Sequence, residues 1–84
     1  MQHAKRKLNM YEPAVFEIRI QGVLNSSWAQ YFEAQSIIVE RDEAENAVTV
    51  IMTEPIDQGE LVGLINYLNT LGVALISMEG KPVE

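Results

Sequence analysis

From Ala14 to Gln21 the chain alternates, with Ala14, Phe16, Ile18 and Ile20 set against Val15, Glu17, Arg19 and Gln21. Period two with one wet face predicts a half-buried strand that ends at Gly22. Ser27-Trp28-Ala29-Gln30 then reads as a capping box, in which the Ser27 and Gln30 side chains satisfy each other's backbone donors. Trp28, Tyr31 and Phe32 follow at i, i+3 and i+4 spacing and share one helical face. This predicts a helix of about two turns ending near Glu33–Gln35.

Ser36–Arg41 and Ala47–Thr53 are β-branched and extended, and the polar stretch Asp42-Glu43-Ala44-Glu45-Asn46 joins them at hairpin length. Pro55 stops the third strand. Asp57 as N-cap and Glu60 at the third helical position then open the main helix. Leu61, Leu64, Ile65, Leu68 and Leu71 form one apolar stripe, with Gly63, Asn66, Tyr67, Asn69 and Thr70 opposite. Gly72 suits the position after the helix, where a left-handed conformation costs glycine nothing. Val73–Glu79 form a last short strand closed by Gly80 and Pro82. The expected fold is α+β in class. It is a single β-α-β-β-α-β domain over 11–84, with a ferredoxin-like, antiparallel four-stranded sheet and both helices on one face. In that arrangement the first and third strands are central. Because the first connection is short, a meander of the first three strands is the alternative.

Composition narrows the function. The 84 residues contain no cysteine, which excludes a disulfide framework and a thiolate metal site and fits a reducing, cytoplasmic setting. No apolar run is long enough to cross a bilayer. Net charge is −6, yet Lys5, Arg6 and Lys7 supply three of the six cations, so the remainder of the chain is strongly acidic. Residues 1–10 read as a mobile basic tail without the apolar stretch of a signal peptide. An acidic body repels phosphate backbones. Base stacking on the open sheet would need aromatic residues that the central strands do not offer there.

Catalytic chemistry finds few candidates. The one histidine, His3, lies in the tail. Glu17, Glu33, Asp57 and Glu60 are the carboxylates that can be imagined meeting. Glu17 is explained by the wet strand face, and Asp57 and Glu60 by helix capping. The acidic hairpin tip lacks the glycine and ligand spacing of a calcium loop. The five glycines form neither a P-loop nor a dinucleotide fingerprint. No cofactor, metal site or catalytic residue is therefore expected.

Ile18-x-x-x-Gly22-x-Leu24, Trp28, Phe32, Pro55-x-Asp57-Gln58-x-x-Leu61-x-Gly63-Leu64 and Leu71-Gly72 together resemble a set of small stand-alone bacterial proteins of similar length. The likeness runs from about Tyr11 to Glu79. Val62 stands where those proteins often carry histidine, and Glu54 where they carry glycine. The resemblance implies the fold and no activity.

The expected function is a non-catalytic binding or regulatory domain that acts through protein contacts, including a homodimer. The expected surface is the helix-free face of the sheet. If Ile37, Val39, Val48, Val50 and Met52 face the helices, that face carries Ile38 and Ile51, joined by Val15 and Leu75, with Arg19 beside Glu17 and Glu40 to set register across a twofold axis. The alternative is a small-molecule-binding or enzymatic dimer with a pocket lined by Trp28, Tyr31 and Tyr67.

Overall fold

The computed structural model describes residues 11–24 and 34–83. Their elements are β1 (Ala14–Gln21), β2 (Ala34–Arg41), β3 (Ala47–Thr53), α1 (Gln58–Thr70) and β4 (Leu75–Pro82). They build a small α+β domain with one four-stranded sheet, ordered β2-β3-β1-β4. Each neighbouring pair is antiparallel. The first and third strands are central, as the split arrangement requires, and the meander is excluded because β3 separates β1 from β2. One helix belongs to the described residues. The helix expected from Ser27 lies outside them except for its end, where Ala34 and Gln35 open β2 instead.

The alternation of β1 becomes its burial pattern. Ala14, Phe16, Ile18 and Ile20 are buried, and Val15, Glu17 and Arg19 are half-buried. Ile18 sits directly opposite Ile51 of β3, and paired residues share a face. The core therefore gathers Phe16, Ile18, Ile20 and Ile51 under Leu61, Leu64 and Leu68 of α1, with Ile65, Tyr67 and Val73 packed at its margin.

This pairing reverses the expected sidedness of β3. Ile51 is 0% exposed in the core and belongs to no open surface. Thr49 and Thr53 join it on the helix side, whereas Val48, Val50 and Met52 face away. Two hydrogen bonds make buried threonine tolerable there. The Thr49 hydroxyl donates to the Gly22 carbonyl at 2.6 Å, and the Phe16 N–H donates to Thr53 Oγ1 at 3.0 Å. The second bond continues the β1–β3 ladder past its last backbone pair, Glu17–Met52.

Leu75 is corrected in the same way. A bulge leaves Ile76 unpaired between Ser77, opposite Arg19, and Leu75, opposite Ile20, so Leu75 lies on the helix side. The last strand also begins and ends later than expected. Val73 is taken up in the helix C-cap, while Gly80, Lys81 and Pro82 pair with β1 as an edge strand allows.

The helix ends follow the sequence closely. Asp57 Oδ1 accepts from the Glu60 N–H at 2.8 Å, and Glu60 Oε1 accepts from the Asp57 N–H at 3.0 Å. At the other end Gly72 has φ +78°, its N–H reaches the Asn69 carbonyl and the Val73 N–H reaches that of Leu68. A bridge between Ala14 and Ile56 ties the helix entry to the start of β1.

At the hairpin tip Asp42 organises the turn by accepting from the N–H groups of Ala44 and Asn46. Glu45 is held there at φ 66°, a left-handed conformation that disfavours a side chain. Glu45→Gly is expected to raise stability by about 0.5–1 kcal/mol, the relief of strain less the added unfolded-state freedom, read as a higher denaturation midpoint. By contrast Ile51→Ala should cost about 2–5 kcal/mol in the same assay, since it empties a packed core position.

Candidate functional site

The helix-free face is organised by one guanidinium. Arg19 Nε lies 3.1 Å from Glu17 Oε2 on its own strand, and Nη1 lies 2.9 Å from Glu40 Oε1 on β2. Because β3 separates β1 from β2, the side chain spans the central strand near Val50, its cross-strand neighbour, and Val48, the neighbour of Glu40. Those valines are only 3% and 6% exposed although no helix of the described residues packs there. The arginine stem, laid over them with its charged head outward, accounts for part of that cover. Lys81 of β4 approaches Glu17 at 3.7 Å from the opposite side.

The hydrogen bond to Glu40 and then that to Glu17 raise the Arg19 pKa above its ordinary value. The group therefore stays charged across the working pH range, and the ion bridge persists wherever its carboxylates are ionised. All three cations of the described residues are engaged, since Arg41 Nη1 donates to the Glu45 carbonyl. Arg19 thus meets Glu17 and Glu40 within one chain, where an intermolecular pairing was expected.

The proposed interface set is accordingly divided. Val15, Arg19 and Ile38 lie on the helix-free face, while Ile51 is core and Leu75 lies on the helix side. Of the pocket set, Trp28 and Tyr31 lie outside the described residues, and Tyr67 packs beside the core. A cleft of about 240 Å³ opens elsewhere, between the end of α1 and β4, lined by Ile20, Ile65, Leu68, Val73 and Leu75 with Asn66 and Asn69.

The carboxylates do not converge. Glu17 is held by Arg19 and Lys81, Asp57 and Glu60 cap one another, and Glu33 is outside the described residues. Among the described residues no three of His, Cys, Asp and Glu cluster as metal ligands do, and no helix is long and apolar enough to cross a membrane.

Exposed apolar side chains concentrate instead on the two edge strands. Ile37, Ile38 and Val39 of β2 are 39%, 50% and 50% exposed in succession, and Leu75, Ile76 and Met78 of β4 are similarly open. Ile37 and Val39 lie on the helix side as the sequence reading expected, opposite Ile51 and Thr49, but stay half-exposed there. The unbroken Ser36-Ile37-Ile38-Val39 run held the signal, but only the strand order shows that it lies at an edge.

A domain of this kind is a small α+β scaffold whose described cations are engaged within the chain and whose two edge strands carry open apolar side chains. The chain belongs to the DUF8691 family, described as a domain of unknown function, which matches residues 15–79. No curated protein and no solved structure matches it.

Replacing Arg19 by Met keeps the stem and removes the bridge. The variant should remain folded, be less stable than the parent at low salt, and converge on it in high salt as the exposed ion pairs are screened, a comparison made by thermal melts.

Proposed function

We propose that this domain works through protein–protein contact, including contact with a second copy of itself, and carries out no chemistry of its own. The observation behind this reading is the edge strand β2, whose Ile38 is 50% exposed on the helix-free face. An edge offers backbone donors and acceptors together with apolar side chains, and soluble domains ordinarily blunt or cover it. The strand order, with β1 and β3 central, also supports a ferredoxin-like plan completed by the helix that the Ser27 capping box encodes.

Trp28 and Tyr31 of the alternative pocket lie outside the described residues, and what the described residues offer a small molecule is the cleft beside α1, where two asparagine amides rim an apolar floor. At about 240 Å³ it falls below the roughly 300–1,000 Å³ usual for ligand sites. No titratable side chain lines it, so it offers shape without acid–base chemistry. Protein contact is the better-supported function.

Light scattering across a concentration series is the direct measurement. The expected mass at high concentration is twice the 9.5 kDa of the chain, falling on dilution, with no metabolite raising the melting temperature. A constant single-chain mass combined with a metabolite-induced thermal shift would reverse the order of the two readings.

A further inference from the structure

Deepening that reading, we propose that β2 is the self-association edge, and that two copies join β2 to β2 in antiparallel register centred on Ile38. The two edges of the sheet are unlike. β4 carries the devices that blunt an edge: a bulge at Ile76, a lysine at Lys81, and Pro82, which has no N–H to offer. β2 is irregular only at its start, between Ala34 and Ser36, and pairs regularly from Ser36 to Arg41 with neither proline nor lysine.

Backbone directions select the register. The Gly22 N–H donates to the Ala47 carbonyl, and the Asp42 N–H to that of Asn46. Odd-numbered β3 residues therefore bond toward β1 and even-numbered ones toward β2. On β2 this turns Ile38 and Glu40 toward β3, and leaves the backbone groups of Ile37, Val39 and Arg41 directed outward.

A twofold pairing about Ile38 then joins Ile37 to Val39 of the second copy through those outward groups, and Val39 to Ile37 likewise. Ile38 meets its own equivalent on the helix-free face, and Ser36 stands opposite Glu40, a hydroxyl donor facing a carboxylate. Centring on Val39 would set Ile38 against Glu40, and centring on Ile37 would set it against Ser36. The Ile38 register alone matches apolar with apolar and polar with polar. Antiparallel pairing also sends the two acidic tips, each with Asp42, Glu43 and Glu45, to opposite ends of the joined sheet.

The absence of native cysteine gives a clean test. At a non-hydrogen-bonded antiparallel pair the Cα atoms stand about 4.5 Å apart, within disulfide range. Ile38→Cys should give a covalent dimer under mild oxidation, and Met78→Cys on the other edge should not. Val39→Pro deletes an outward N–H and spares the ladder to β3, so it should abolish the dimer while circular dichroism stays that of the parent. If the parent is a dimer yet Ile38→Cys does not cross-link, or Val39→Pro remains a folded dimer, the β2 pairing is wrong and self-association stands on another surface. A parent that is monomeric at every concentration overturns both.

Discussion

Ile18 packed opposite Ile51 decides which side of the sheet becomes the core. Side chains alternate along a strand, so this one pair commits Phe16 and Ile20 of β1 and Thr49 and Thr53 of β3 to the same face. The Leu61, Leu64 and Leu68 stripe of α1 then has one place to land. A slip of one residue would turn the whole apolar set of β1 to water. The threonines add a second lock of different character. Their hydroxyls meet the Gly22 carbonyl and the Phe16 N–H only in the observed register, and a buried polar group that loses its partner is costly. Apolar area supplies the driving force, while these two bonds reject the neighbouring registers.

The opposite face is made secure by other means. With Ile51 committed to the core, β3 turns Val48 and Val50 away from α1, and they form an apolar strip on a face that no helix of the described residues covers. Arg19 reaches across β3 to Glu40 above that strip, while Glu17 holds the guanidinium from behind. Docking another molecule flat on this face would mean burying or breaking that charged bridge, and desolvating ion pairs is expensive. The bridge that finishes the surface also makes its centre a poor interface. On the proposed function, contact then falls to the margins of the sheet.

What was legible in the sequence was what local physics determines. The alternation of β1, the polar connection between β2 and β3, the Asp57–Glu60 capping box, the leucine stripe and the Gly72 stop each rest on neighbours within a turn or a hairpin. Even the central places of β1 and β3 followed from element order. The sidedness of β3 did not, because Ala47-Val48-Thr49-Val50-Ile51-Met52-Thr53 is apolar or β-branched throughout and has no alternation to read. Setting Val48, Val50 and Met52 toward the helices assigned the wrong face; buried threonine is admissible when backbone groups 27 and 37 residues distant in sequence meet its hydroxyl. Leu75 was misplaced by a one-residue bulge that leaves no sequence mark. Among the described residues β2 has no strand beyond it, a property of the assembled sheet and not of the strand itself.

The difference between the two edges bears on what kind of assembly this fold permits. The split order places β2 and β4 at opposite margins, so every copy carries two potential pairing edges made of unrelated sequence. Were both available, β2 of one copy could pair with β4 of the next. Such heterologous joining continues without limit unless its rotation happens to close. β4 is blunted by its bulge, lysine and proline, and in the proposed pairing an edge that joins solely with its own equivalent closes at two copies. The acidic tip beyond Arg41 works in the same direction, since any parallel stacking of β2 strands would bring Asp42, Glu43 and Glu45 of successive copies together. In that proposal, one open edge and one closed edge would favour a discrete pair over the open-ended growth to which flat apolar strands are otherwise prone.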